Sequence, residues 1–167
     1  MNGPVTVTEE HRYARTKPTT AHQVEGQTLR LTQSGCGDDE TRCNVEYRIR
    51  MPAAMSAEIT AEAGAVRVGN LSGDLRISTE AGAVESRGLT SAEVTVNTEA
   101  GATSLEFAEA PTLVQTTTSL GAVELRLPDT TAYAVDVQTS AAASTVDVDK
   151  DPASKHRISV RTDAGTG

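Results

Sequence analysis

A six-residue motif recurs along the last two-thirds of the chain, and it constrains the fold more than any other feature. It reads AEAGAV at Ala61–Val66, TEAGAV at Thr79–Val84 and TEAGAT at Thr98–Thr103, and three weaker copies follow. The marker positions of all six copies lie about 20 residues apart, which is a period typical of repeat proteins. These markers are Gly64, Gly82, Gly101, Gly121, Ala142 and Gly165.

Each repeat interval contains two short segments in which apolar and polar residues alternate, such as Val66-Arg-Val68 and Leu75-Arg-Ile77. Alternation of this kind is typical of strands with one buried and one wet face. Two strands and two corners in about 20 residues predict a β-solenoid, or flattened two-sheet β-helix. The alternative is an antiparallel β-sandwich. A solenoid places Val66 beside Val84, whereas a sandwich places Val68 beside Leu75.

Aromatic residues are scarce, with one Phe, three Tyr and no Trp. A thin solenoid core explains this scarcity, because coils stacked about 4.8 Å apart accommodate Val, Ala and Thr better than large rings. The same scarcity argues against stacking of nucleic-acid bases. The net charge of −8 also disfavours a nucleic-acid backbone as partner. No apolar run approaches the roughly 20 residues that span a bilayer.

Residues 1–52 do not share the repeat, and we interpret them as an N-terminal β cap on a solenoid formed by residues 53–167. Within them, Cys36 and Cys43 lie between two alternating segments, Leu29–Leu31 and Val45–Ile49. A hairpin of these segments would bring the cysteines together at its tip, which predicts a disulfide and an oxidising compartment. Two unpaired thiols are the alternative. If the disulfide forms, we expect an export signal or anchor to have preceded this segment.

The repeat and its surroundings resemble the bacterial adhesin β-strand-repeat family of actinobacterial envelope proteins, a domain of unknown function. The resemblance rests on the Thr-Glu-Ala-Gly corner, on residues 151–165, on Val5–Glu9 and on the Gly-Cys and Arg-Cys pairs at residues 35–36 and 42–43. It implies a β-helical domain that is exported or held at the membrane, without enzyme activity. Family corners often carry an acid after the glycine, where this chain has alanine, for example at Ala83.

Stacked coils would align Glu62, Glu80 and Glu99 at one corner, about 4.8 Å apart. Like charges in that arrangement repel, so they either extend into solvent or share a cation such as calcium. If the glutamates extend into solvent, they form a solvated acidic corner. We expect no cofactor other than calcium. We expect a row of threonines on the polar outer face of the strands, where their hydroxyls could bind glycans or another strand. The alternative is that Thr is simply a common surface residue of sheets. This row is Thr79, Thr98, Thr118, Thr139 and Thr162.

The three histidines, His11, His22 and His156, lie in no nucleophile or metalloprotease motif. We expect them to be exposed residues of strands or loops. We predict a non-enzymatic, extracytoplasmic binding or scaffold domain whose partner is an envelope protein or glycan. The alternatives are a β-helical polysaccharide enzyme, which would need paired carboxylates and aromatic rings, and a structural unit that self-associates end to end.

Overall fold

The computed structural model describes residues 3–26, 28–35, 43–140 and 148–166, and within them the protein is entirely β. The chain divides into two compact units, Met1–Pro52 and Ala53–Gly167. The cap function of the first unit stays a prediction. The described strands are β1 (Thr6–Tyr13), β2 (Thr19–Glu25), β3 (Thr28–Ser34), β4 (Cys43–Arg50), β5 (Ala57–Gly69), β6 (Leu75–Arg87), β7 (Glu93–Ala100), β8 (Thr103–Glu106), β9 (Leu113–Arg126), β10 (Ala134–Thr139) and β11 (Arg157–Thr166).

The second unit is a β-solenoid of about five turns, as the repeat predicts. Val66 pairs with Val84 in parallel register, so the antiparallel sandwich is wrong. The coils repeat at the sequence period, since β5 pairs with β6, β6 with β7 and β7 with β9, all in parallel. Each coil therefore lies on the next with equivalent residues in contact.

Each coil has two arms that meet at the repeat glycine. The first arm precedes the glycine and the second arm follows it. Side chains on each arm alternate between the interior and the solvent. The first arms are residues 57–63, 75–81, 93–100 and 113–120, and the second arms are residues 65–69, 83–87, 103–106 and 122–126.

The interior of the solenoid consists of columns of similar side chains. Leu75, Val94 and Val114 occupy one column at 2% exposure or less, and Ile77 and Val96 occupy the next. Phe107 and Tyr133 are the buried aromatic residues among those described. Columns of β-branched and Leu residues fill a thin space between two arms, which agrees with the scarcity of rings in the sequence.

The repeat glycines form a column of their own at the corner between the arms. Gly82, Gly101 and Gly121 have φ angles of 152°, 143° and 152°, which side chains rarely adopt. A Cβ atom on any of the three would overlap the carbonyl oxygen of the glycine one coil earlier. Gly64 begins the column with a φ of 112°, and a Cβ there would meet no atom within 4 Å. The glycine is thus required by close stacking in three of the corners.

The last strand does not occupy the last position in the sheet. The strand order is β10-β11-β9-β7-β6-β5, so β11 lies between β9 and β10. Thr162 of β11 consequently pairs with both Thr118 and Thr139. At the following corner, Gly165 pairs with Gly121. The marker residue Ala142 lies outside the described residues.

The first unit contains two antiparallel pairs, β1 with β4 and β2 with β3. The predicted hairpin of Leu29–Leu31 with Val45–Ile49 is therefore wrong. The hairpin forms instead at Gly26, which has a φ of 62° and follows directly after Glu25, the partner of Thr28. A connection of two residues, the first in a left-handed conformation, makes a tighter hairpin turn than the longer segment between Leu31 and Val45 would. The β4 strand pairs along all eight residues with β1.

Candidate binding surface

A shallow groove of about 260 Å³ follows the outer side of four stacked first arms. One row in it carries hydroxyl and amide groups, and a parallel row carries three carboxylates and a hydroxyl. The stacking places equivalent residues side by side because the register is maintained from β5 to β9. We call this surface the polar groove; its outward-facing lining residues are Thr60, Ser78, Asn97, Thr117, Glu62, Glu80, Glu99 and Ser119.

The three groove glutamates, Glu62, Glu80 and Glu99, are exposed and lie at the same point of successive coils. Strands of one sheet lie about 4.8 Å apart, so these like charges are close neighbours. Within the described residues, none of the three forms an ion pair. The groove lining also contains no basic residue. The polar groove therefore carries negative charge that its own lining does not balance.

The outer face of the second arms differs in this respect. Its glutamates are paired with arginines from neighbouring coils or from the same strand: Arg67 Nε lies 3.3 Å from Glu85, and Arg126 lies 3.8 Å from Glu106 and 2.8 Å from Glu124. These pairs are exposed and contribute little to stability. They offset most of the negative charge of this face, with two arginines against three glutamates, which makes it the natural comparison for the polar groove.

Calcium binding at Glu62, Glu80 and Glu99 gains no support from the geometry. Among the described residues, no group of three or more His, Cys, Asp or Glu side chains could hold a metal ion. The carboxylates follow one another along the stack rather than converging on a common point. Their arrangement suits an extended partner better than a single ion.

The predicted outer threonine row is wrong, because its described members point into the interior. Thr79, Thr98, Thr118 and Thr162 are between 1% and 3% exposed, and Thr139, the partner of Thr162, is half-buried. The alternation explains this, since Thr79 lies two residues after Ile77 and therefore on the same inner face. The outward hydroxyl and amide row lies one residue earlier on each strand, at Ser78 and its equivalents. Sequence reasoning missed this row although the same alternation indicates it.

Several interior hydroxyls have no hydrogen-bond partner among the described residues. They belong to Thr79, Thr116, Thr118 and Thr162. Thr98 differs because its hydroxyl lies 3.3 Å from that of Thr103, across the corner of the same coil. In the coils before and after, Val84 and Val123 occupy the position of Thr103. The TEAGAT variant of the motif thus supplies a hydrogen-bond partner in its own coil.

The histidines lie outside the polar groove, and two of them are less exposed than the sequence predicts. His11 Nε2 lies 3.4 Å from the Glu9 carboxylate, which also accepts a hydrogen bond from Thr20 at 2.7 Å. His156 is half-buried, and its Nδ1 lies 2.7 Å from the carbonyl oxygen of Pro111. His22 is exposed. The His156 ring therefore joins two separate segments of the chain, whereas the His11 contact stays within β1.

Two tyrosines have shifted pKa values. Burial, with a smaller contribution from the charge of Asp129, raises the pKa of Tyr133 above its ordinary value of 10.0. Tyr133 is fully buried, and its hydroxyl donates a hydrogen bond to the Pro128 carbonyl at 2.7 Å. Desolvation, together with the charge of Glu9, raises the pKa of Tyr47. Both shifts favour the neutral phenol.

The disulfide stays a prediction, because Cys36 lies outside the described residues. Cys43 begins β4 and pairs in the ladder with Tyr13. The hairpin from which the pairing was deduced does not form. The described part of the chain has no helix that is long and apolar enough to cross a membrane.

The family described as Toastrack DUF4097 matches residues 7–166. This match extends over both compact units and all of the polar groove. No curated protein and no solved structure is significantly similar to the chain. The adhesin family and the actinobacterial envelope type that the sequence resembles are not confirmed by these comparisons.

Proposed function

This chain belongs to the Toastrack DUF4097 family, and from that premise we propose that it is a non-enzymatic binding or scaffold domain of the bacterial cell envelope. The polar groove is the proposed contact surface. Toastrack is a domain family of unknown function with a β-helix-like fold, which is consistent with a non-catalytic repeat domain. The cell-envelope location rests on the sequence resemblance and the predicted disulfide.

The unbalanced charge of the polar groove is the observation that carries this proposal. Glu62, Glu80 and Glu99 repeat at the spacing of the coils, beside the hydroxyl and amide row that begins at Thr60. An extended polymer with amino and hydroxyl groups complements such a surface, because it offers positive charge and hydrogen-bond partners along its length. We therefore propose an amine-bearing envelope glycan or a cationic protein segment as partner, with the glycan as the first choice.

We favour binding over catalysis for the same surface. A polysaccharide enzyme needs carboxylates on opposite sides of the scissile bond, whereas the groove carboxylates lie along one row. The groove lining contains neither an aromatic ring nor a histidine. Sugar recognition there would depend on hydrogen bonds and charge.

The proposal is tested by measuring retention of the protein on an immobilised, partly deacetylated amino-sugar polymer, with the fully acetylated polymer as the uncharged comparison. We expect retention on the charged polymer only, and we expect it to weaken as salt is raised. The double variant Glu80→Gln with Glu99→Gln should reduce the affinity at least about tenfold, since it removes two charges from the groove.

The matched control is the double variant Glu85→Gln with Glu124→Gln, which removes the same charge from the second-arm face. It should bind like the wild type. Equal losses in both double variants would show a non-specific charge effect and refute the groove as the site. A wild-type protein that neither this polymer nor an intact cell-wall preparation retains would refute the binding function itself.

A further inference from the structure

Four buried threonines form one continuous row inside the solenoid, each of them shortly before a repeat glycine. The row runs through β6, β7, β9 and β11, and each threonine pairs in register with the next: Thr79, Thr98, Thr118 and Thr162. All four are 3% exposed or less. The register therefore aligns four hydroxyl groups in the core, where bulk water does not reach them. We call this row the threonine column.

The hydroxyls of the threonine column lack the hydrogen bonds that buried hydroxyls normally form. The Oγ1 atoms of Thr79, Thr118 and Thr162 have no partner among the described residues. Thr98 has one, the hydroxyl of Thr103, which lies 3.3 Å away across the corner. A buried hydroxyl without a partner is unfavourable, so the column calls for a partner that the protein's own groups do not supply.

The spacing of the column determines what this partner can be. Equivalent atoms of neighbouring strands lie about 4.8 Å apart. Two hydroxyls bond directly only when their oxygens approach to about 2.5–3.0 Å, so neighbours in the column are too far apart. One water molecule that forms two bonds of about 2.8 Å at a near-tetrahedral angle spans about 4.6 Å. A single water therefore matches the separation between hydroxyls of neighbouring coils.

We propose that the threonine column binds a file of internal water molecules, one between each pair of neighbouring coils from β6 to β11. Each water bonds to two threonine hydroxyls, and a water next to Thr98 has Thr103 within reach as a third partner. Internal waters of proteins typically form about three such bonds. This site lies on the inner face of the first arms, so it is distinct from the polar groove on their outer face.

Another buried threonine shows why the column, rather than a lone hydroxyl, makes the site. Thr116 lies on the same face of β9 as Thr118, is 2% exposed and also has no partner among the described residues. Its neighbours in register are Val96 and Val160, which carry no hydroxyl. A water beside Thr116 would have one side-chain partner there, whereas an internal water needs two to four polar partners. Thr116 is therefore the matched dry position.

The experiment is oxygen-17 relaxation dispersion of water in solutions of the full chain, which counts the water molecules that stay bound for longer than the protein takes to tumble. We expect the wild type to hold such waters. Thr118→Val removes a hydroxyl that two of them share, so it should hold about two fewer. Thr116→Val should hold as many as the wild type. Thr118→Ser keeps the hydroxyl and should also hold as many.

Thermal unfolding of the two valine variants gives a second measurement. Thr118→Val should lower the melting temperature by about 2–4 °C, because Thr98 and Thr162 lose the waters that they share with Thr118. Thr116→Val should raise it, because its hydroxyl has no polar neighbour to lose. Both variants replace a hydroxyl by a methyl group on the same strand, so the gain in hydrophobicity is the same in each.

A wild type without long-lived internal water overturns the proposal, and so does an equal count in the wild type and Thr118→Val. The proposal also fails if Thr116→Val loses as many waters as Thr118→Val, or if both valine variants raise the melting temperature. Loss of water in Thr118→Ser as large as in Thr118→Val would show a packing effect and would equally overturn it. Glycan retention has no bearing on these outcomes, because the polar groove and the column lie on opposite faces of the strands.

Discussion

The glycine column predicts that the same Gly→Ala substitution lowers the free energy of unfolding by different amounts at two of its positions. Gly64→Ala and Gly101→Ala each place a Cβ atom on a backbone with positive φ. The strain of that conformation costs about 1–3 kcal/mol in either case. At Gly64 this is the whole effect, since a Cβ there meets no atom within 4 Å.

At Gly101 the added Cβ would also overlap the Gly82 carbonyl oxygen. Rotation of a side chain cannot relieve this overlap, because the contacted atom belongs to the backbone. The two coils must separate at the corner, where Val84 N–H donates to the Ala102 carbonyl at 2.9 Å. Weakening this backbone hydrogen bond costs about 1–3 kcal/mol. We therefore expect Gly101→Ala to lose about 1–3 kcal/mol more than Gly64→Ala.

The assay is urea unfolding followed by circular dichroism, with thermal unfolding as a second measurement. A difference of about 1–3 kcal/mol corresponds to roughly 3–10 °C in melting temperature for a chain of this size. The two variants have the same composition, so their unfolded states are closely comparable. Equal losses of stability would refute the argument that close stacking, rather than φ alone, requires the glycine.

Three further predictions concern the interior, alkaline pH and the cysteines. Thr116→Val should raise the free energy of unfolding by about 1 kcal/mol, because it replaces a buried hydroxyl that has no partner among the described residues. Thr98→Val should lower the free energy of unfolding, because it leaves the Thr103 hydroxyl unpaired. Urea unfolding of both variants tests this, and a loss of stability in Thr116→Val would contradict the reasoning. The pKa of Tyr133 is raised in the folded state, so the unfolded chain releases this proton first as the pH rises above 10.0. The stability that this group contributes is therefore fully present below that pH and declines above it. Tyr133→Phe should reduce that decline, measured as melting temperature from pH 9 to 11, and parallel curves for the two proteins would speak against it. Alkylation and mass analysis without reductant should show Cys36 and Cys43 joined, and their replacement by Ser should cost about 2.5 kcal/mol; free thiols in protein from an oxidising compartment would disprove the pairing.

The repeat makes the solenoid predictable because one spacing determines both the corner and the register. Once Gly64 and Gly82 are equivalent, parallel pairing of Val66 with Val84 follows directly. The same equivalence locates the groove glutamates. The threonine row is predicted on the outer face because threonine is polar. Its position two residues after a buried apolar residue correctly indicates the inner face. In this interior a hydroxyl replaces a methyl group of similar size, so polarity alone does not reveal the face.

The strand pairing of the first unit is less predictable, because its segments have no repeat that selects a partner. The segment Leu29–Leu31 alternates as well as Val45–Ile49 does, and only the turn at Gly26 distinguishes the possible hairpins. The position of β11 has no signal at all. The inward residues of β10 and β11 follow the same pattern of two β-branched apolar residues and a threonine, so either strand fits beside β9.

The position of β11 has a consequence for how the protein is completed during synthesis. Coils up to β9 can form in the order in which they leave the ribosome, since each pairs with the coil made just before it. The β10 strand is made next, but its place in the sheet lies beyond β11. It therefore reaches its final place only after β11 has emerged and filled the position beside β9. The solenoid is thus completed by inserting a strand, and a pause in translation between β10 and β11 would prolong the time during which Val135 and Val137 lack their final partners, Ile158 and Val160.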